Sequence, residues 1–288
     1  MNYFVLLLII PLLLSGCAAP VRSDIAATTL PVYEFTSRLC EGTGLTVTRL
    51  VTEPVSCLHD YSLNVNQVKA AESADHIVIS GAGLEEFMED LLEGKSVIDA
   101  SRNIGILECG HVHDHAQEHG HHHETDSHIW LSPTNAITMA ENICAELSVA
   151  YPSHRERFAA NLEDLTSDLR ELQRYGQSRL SSLRTRELIT FHDGFSYFAE
   201  AFDLHILEAV EEESGSEASA QELKHLIGIV NDHRLPAVFT EINGSVSAAE
   251  VIARETGVKT YALDMAMGGD SYFAAMYHNI DAIKEAME

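Results

Sequence analysis

Short runs rich in β-branched and apolar residues alternate with stretches whose apolar positions recur every three or four residues. That alternation predicts βαβ units and parallel sheets. The runs fall at residues 25–29, 47–52, 76–80 and 97–99 in the first half, and at 188–191, 205–210, 237–241 and 260–263 in the second. Four strands in each half predict an α/β chain of two (β/α)4 lobes with parallel sheets rather than one large sheet. Between the halves the pattern changes. From Ser153 to about Leu183 there is no proline and a single glycine, Gly176, while Phe158, Leu162, Leu165, Leu169, Leu172 and Tyr175 keep the helical period. Pro152 and Ser153 supply a start, with the serine as cap. A helix of ~30 residues is ~45 Å long, enough for one rigid strut between two lobes. The alternative is an ordinary surface helix broken near Gly176.

The N-terminal pattern differs again. Residues 3–14 are almost wholly apolar and lead into Leu14-Ser15-Gly16-Cys17. An apolar core of that length suits an export signal and is too short to cross a hydrocarbon layer of ~30 Å as a helix. The tetrad resembles the bacterial lipobox, in which the cysteine is lipidated and becomes the mature N-terminus. Residues 1–16 contain no Lys or Arg, so the usual positive segment is missing and an uncleaved anchor is the alternative. Both readings place the mature chain outside the cytoplasm and hold it to a membrane. The net charge of −26 argues against a nucleic-acid partner and fits a surface that concentrates cations. With Cys17 assigned to lipid, Cys40, Cys57, Cys109 and Cys144 remain, an even number that permits disulfides of undetermined connectivity.

One segment carries chemistry of its own. His111, His113, His115, His119, His121, His122, His123 and His128 crowd into eighteen residues. Neutral imidazole is the commonest metal ligand near pH 7, yet a tight site needs donors fixed in space. The tract over 111–123 therefore reads as a loop of accessory, low-affinity ligands. Fixed donors are expected beyond the carboxyl ends of strands, where open α/β sheets bind ligands. His59-Asp60 follows the run 47–52 and precedes a helix over 64–73. His128 opens His128-Ile129-Trp130-Leu131-Ser132-Pro133, His192 follows 188–191, and Asp264 follows 260–263. Three imidazoles and a carboxylate suit tetrahedral Zn2+, whereas manganese prefers more oxygen. Glu241 is a further strand-end acid that can compete as a ligand. Cys57 is a weaker candidate, and Asp193 reads as a cap or a supporting group.

These residues and their surroundings carry a resemblance. The chain is similar to the zinc-specific members of the metal-binding lipoprotein family that serves ABC importers, the ZnuA-like group of cluster A-I. The likeness rests on the stretch 28–33, Pro54 through His59-Asp60-Tyr61, Gly81-Ala82-Gly83-Leu84-Glu85, His128 through Pro133, Thr190-Phe191-His192-Asp193-Gly194-Phe195 and Gly269-Asp270-Ser271-Tyr272. A histidine-rich loop before the His-x-Trp-Leu motif marks the zinc branch, and the manganese branch usually has glutamate where this chain has His192. The resemblance implies two (β/α)4 lobes joined by one long helix, with Zn2+ held between them by His59, His128, His192 and Asp264. The fourth ligand varies in the family and water can replace it. Many relatives also approach the first histidine through a shorter Pro-His motif than Ser56-Cys57-Leu58-His59 here.

The resulting division is a lipoprotein signal at 1–16, a lipid-anchored tether at 17–24, an N-terminal metal-binding lobe at 25–150, a linker helix at 151–184 and a C-terminal metal-binding lobe at 185–288. The expected function is a monomeric, non-enzymatic receptor that captures Zn2+ outside the cell and delivers it to an ABC permease and its ATPase. A manganese- or iron-binding relative is the alternative within the family. A secreted zinc hydrolase is a second class: residues 111–115 superficially resemble an HxHxDH signature but fall one residue short, and neither HExxH nor GxSxG occurs. A surface adhesin is a third class, compatible with a lipid anchor and without direct support in the residues.

Overall fold

The computed structural model describes residues 23–53, 55, 58, 61–108, 125–210 and 218–288. In the first half the elements are β1 (Ile25–Ala27), α1 (Leu30–Leu39), β2 (Val47–Arg49), α2 (Val65–Ser73), β3 (His76–Ile79), α3 (Glu89–Leu92), β4 (Val97–Asp99) and α4 (Pro133–Ala150). After α5 (Arg155–Arg179) come β5 (Glu187–Thr190), α6 (Ser196–Ala201), β6 (His205–Ala209), α7 (Ala220–His233), β7 (Ala237–Glu241), α8 (Ser247–Thr256), β8 (Lys259–Leu263) and α9 (Tyr272–Met287). Two four-stranded sheets result, ordered β2-β1-β3-β4 and β6-β5-β7-β8. Every pairing is parallel. The second order repeats the first, so each lobe has a switch point where consecutive crossovers turn opposite ways. In the first lobe it lies between β1 and β3, and in the second between β5 and β7. Such points open a crevice for ligands.

The strut is α5, whose 25 residues make a rod of about 37 Å. It buries Phe158, Leu165, Leu169 and Leu172. Its N-terminus corrects the expectation at Ser153. Pro152–His154 form a 3-10 turn, His154 occupies the cap position, and no side chain caps the helix there. The proline starts a tighter turn first, which moves the α-helical start downstream. At the other end the helix stops at Arg179, short of Leu183, where the Arg186 guanidinium takes the Leu180 carbonyl at 3.1 Å. Gly176 does not break the rod. A Cβ at that position would collide with the Phe202 ring, so the glycine lets an aromatic side chain lie on the helix backbone. The strut grips the first lobe through Arg38–Asp168 at 2.6 Å and through Asn161, whose amide donates to the Leu39 and Glu41 carbonyls. It grips α9 through Asp281, which takes Tyr175 at 2.8 Å and Arg179 at 3.0 Å.

At the switch point of the first lobe a buried acid closes the loops. Glu85 accepts from Thr28 Oγ1 at 2.6 Å and from the Ser80 and Gly81 amides at 2.8 and 3.0 Å. Gly81 has φ +80°, and a Cβ there would collide with Asp99 and Ser101. Burial pushes the Glu85 carboxyl up to about 7, the three donors oppose that shift, and nearby Asp99 adds to it. An acid with a raised folded pKa favours the native state while it stays protonated. Its contribution is therefore complete below the ordinary glutamate range and is lost as pH rises through about 7. The expected result is that wild type, measured against Glu85→Gln, loses up to about 3 kcal/mol of relative stability between pH 4 and pH 8. Denaturant unfolding of both proteins at the two pH values checks this, and a pH-independent difference contradicts it.

Among the described residues no helix is long and apolar enough to cross a membrane. Cys40 and Cys144 are buried free thiols. Burial, with Asp24 adding to it, pushes the Cys40 thiol up to about 12. Cys17, Cys57 and Cys109 lie outside the described residues.

Candidate metal centre

His128 stands at the start of a 3-10 turn, Ile129–Leu131, whose three side chains are fully buried. Ser132 then caps α4 by accepting from the Asn135 amide, with Pro133 in the first turn where a missing N–H costs nothing. The turn is pinned from the second half of the chain. The Trp130 indole donates to the Met265 carbonyl at 2.8 Å, and the Tyr272 hydroxyl donates to the Trp130 carbonyl at 2.8 Å. His192 leaves the end of β5, next to the crevice between β5 and β7. Phe191 N–H donates to the Phe239 carbonyl at 2.9 Å, and Thr190 Oγ1 donates to the His192 carbonyl at 3.0 Å.

The fold thus brings together two histidines 64 residues apart in sequence. Their rings are nearly perpendicular at 86°, with centroids 5.1 Å apart and the two Nε2 atoms 3.4 Å apart. Each Nδ1 faces a carboxylate: Asp126 Oδ1 at 2.9 Å from His128 and Glu241 Oε1 at 3.0 Å from His192. The two Nε2 atoms therefore face one another across the gap, within hydrogen-bonding distance, and which of them donates depends on the ring tautomers. Two nitrogens on a tetrahedral zinc with bonds of ~2.0–2.1 Å are about 3.3 Å apart. The pair therefore already has the bite of two zinc ligands. Gly194 makes room for it, because a Cβ there would stand 2.7 Å from His192 Cδ2, 2.7 Å from Met265 Cε and 2.8 Å from His128 Cε1.

The remaining candidates stand differently. Asp264 follows β8 as expected, in a loop that reaches the imidazoles through Met265. Asn279 brackets its backbone, accepting from the Asp264 N–H and donating to its carbonyl, both at 2.7 Å. The Asp264 Oδ1 accepts from the Ala266 N–H at 2.8 Å. Among the described residues no group of three or more His, Cys, Asp or Glu side chains forms a metal cluster, so Asp264 is not gathered with His128 and His192 as a third donor. His59 lies outside the described residues, as do the tract histidines His111, His113, His115, His119, His121, His122 and His123. The described flanks of the His59 segment are held: Tyr61 donates to Glu53 at 2.7 Å and accepts from Gln67 at 2.6 Å, while Leu58 is buried. The described residues that flank 109–124 pair with one another, through an antiparallel bridge between Glu108 and Thr125 and through Asp126 N–H to the Leu107 carbonyl at 2.9 Å.

Sequence reasoning missed Asp126. Its signal was local, an aspartate two residues before a histidine, a spacing that lets one carboxylate oxygen accept both the His128 N–H and its ring nitrogen at 2.9 Å. Glu241, weighed as a ligand, is found at the back of the His192 ring. His76, His233 and His278 bond locally to Ser96, Glu187 and the Ala262 carbonyl.

Comparison with known proteins places this arrangement in context. Residues 25–286 match the family model described as ZnuA, zinc-uptake complex component A, periplasmic. The zinc-binding lipoprotein AdcA of Streptococcus pneumoniae is 30% identical over 301 residues, covering 96% of this chain and 59% of AdcA. The chain thus spans little more than half the length of that relative. The crystal structure of the Zn(II)-bound ZnuA-like domain of S. pneumoniae AdcA superposes with a TM-score of 0.77 at 27% identity, covering 92% of this chain and 99% of that domain. A crystal structure of ZnuA gives a TM-score of 0.78 at 27% identity over 92% of this chain and all of the other.

Proposed function

This chain belongs to the ZnuA family, and we propose that it is an extracytoplasmic receptor that binds Zn2+ between its lobes and hands it to an ABC permease. The observation that carries the reading is the His128–His192 pair, with Nε2 atoms 3.4 Å apart and each Nδ1 on a carboxylate. Two imidazole nitrogens so aimed converge on a common point, where one cation can take both as ligands. His59 and Asp264 complete the proposed ligand set, with water as the substitute for Asp264. Zn2+ is the cargo in this reading, and nothing in the proposed role calls for catalysis. Selectivity against copper does not follow from affinity, since Cu2+ binds such ligands more tightly; geometry and supply must provide it.

The same proposal covers the rest of the chain. Residues 1–16 serve as export signal and Cys17 carries the lipid at the head of a tether over 17–24. Lobes over 25–150 and 185–288 flank the linker at 151–184, and the receptor works as a monomer beside the permease and its ATPase. The tract at 111–123 is accessory in this reading. A titration of metal-free protein with Zn2+ against a competing chelator tests the assignment. One tight equivalent is expected in the intact chain and again when residues 111–123 are deleted. Loss of tight binding with the tract alone would move the receptor site into the tract.

A further inference from the structure

We infer that Asp126 and Glu241 are paired positioning residues, one from each lobe, which fix the tautomer and aim of His128 and His192 and so set the affinity for the ion. The inference rests on the receptor reading above and adds two residues to it. An unrestrained imidazole can carry its proton on either nitrogen and can turn about its bond to Cβ, and both freedoms must be surrendered on binding. A carboxylate at Nδ1 removes them in advance and makes Nε2 the better donor.

Neither acid is a loosely placed surface charge. Asp126 is buried, its N–H donates to the Leu107 carbonyl at 2.9 Å, and its carbonyl accepts from the Tyr197 hydroxyl at 3.2 Å. Its Oδ1 takes both the His128 N–H and the His128 ring, so one oxygen orients backbone and side chain together. Glu241, 5% exposed, ends β7. There Ile242 N–H donates to the Leu263 carbonyl at 2.9 Å and Gly244 N–H donates back to the Glu241 carbonyl at 3.2 Å. A Cβ on Gly244 would stand 3.1 Å from Glu241 Cβ, so the turn is packed against the acid it presents. The two buried carboxyl groups also lie directly behind the rings that face the proposed position of a divalent cation. Glu241 Oε1 meets His192 at Nδ1, on the opposite side of the ring from Nε2. That placement makes it a support rather than a ligand.

The two arms come from different lobes and meet where His128 and His192 touch, so the double substitution reads how strongly they are coupled. The experiment uses the full chain with Asp126→Ala, Glu241→Ala and the double substitution, read by chelator competition for Zn2+ and by the visible spectrum of the Co2+-loaded protein. Each single change is expected to weaken zinc about 10–100-fold, and the double by more than either. The band positions and intensities of saturated cobalt protein should be unchanged, because no ligand is lost. Asp126→Asn and Glu241→Gln keep an acceptor oxygen without the charge; they should weaken binding less and are read in place of any alanine variant that unfolds. Unchanged zinc affinity in folded variants overturns the inference and leaves the acids merely structural. A cobalt spectrum in Glu241→Ala that reports a lost donor overturns it in favour of direct ligation. Wild-type protein without a tight site, or with affinity indifferent to His192→Ala, overturns the receptor reading itself, and that result is separable because it appears without either acid being changed.

Discussion

His192→Ala is expected to weaken Zn2+ binding at the tight site by at least about 100-fold, or about 2.7 kcal/mol, while the tract at 111–123 goes on collecting ions weakly. The reasoning is geometric. The 3.4 Å separation of the His128 and His192 Nε2 atoms is close to the bite of two nitrogens on one tetrahedral zinc, so removing one ring removes a bond and not merely a neighbour. A substitution behind a ligand costs 10–100-fold, and losing the ligand should cost more. Folding should survive. The side chain is 21% exposed and touches Glu241 and His128; loss of a hydrogen-bonded contact costs about 1–3 kcal/mol out of a total on the order of 5–15 kcal/mol. Competitive titration of wild type and variant, both lacking residues 111–123, isolates the effect. A change of less than tenfold would remove His192 from the ligand set.

Much of this architecture is legible in the residues, and the reason differs from element to element. β7 occupies the stretch its apolar pattern marks, because a parallel strand buried on both faces has no polar side to blur its ends, while β4 matches its run as a half-buried edge strand. β1 stops at Ala27, two residues short of the apolar and β-branched run, because Thr28 turns its hydroxyl to Glu85 and Pro31 starts a helix. The two-lobe plan was readable from strand count, but the repeat of one strand order in both sheets appears only in three dimensions. Of the site, His128 and His192 could be found because strand ends and motifs mark them. Asp126 had only the two-residue spacing to His128 as a signal, and an acid inside a polar, histidine-rich stretch looks like any solvated charge until its bonds to Leu107 and Tyr197 are seen. Glu241 was visible as a strand-end acid, but only the direction of the His192 ring separates support from ligand. Asp264 was placed correctly at the end of β8, while the bond from its carboxylate to the Ala266 N–H belongs to a turn that no spacing rule announces.

The largest loss of stability is expected from Trp130→Ala, about 3–5 kcal/mol. Trp130 is the chain's single tryptophan, is fully buried, and packs against the His128 ring at 5.3 Å between centroids. It also ties the halves together, since its indole bonds to the Met265 carbonyl and its own carbonyl takes the Tyr272 hydroxyl. Neighbouring bonds repeat the pattern: Arg49 donates to the Gly269 carbonyl at 2.8 Å, and Tyr272 N–H donates to Glu34 at 2.6 Å. Residues 264–272, which bear Asp264, are thus bonded to the first lobe along their length, and a rigid α5 spans both. Wide closure of the lobes would break these bonds together, so capture and release should proceed by small shifts of the ligand loops. Alanine at 130 removes an indole's worth of packing and leaves the Met265 carbonyl without its donor. The mutant's zinc dissociation should quicken as well, because His128 sits on the turn that has lost its anchor. Tyr272→Phe deletes only the hydroxyl and should cost about 1 kcal/mol. Denaturant unfolding followed by far-UV circular dichroism, the tryptophan signal being absent, measures both. A cost below about 1 kcal/mol for Trp130→Ala, well under the 3–5 kcal/mol of a packed tryptophan, would mean that the turn is not the tie between lobes, and would reopen a wide hinge motion as the route of release.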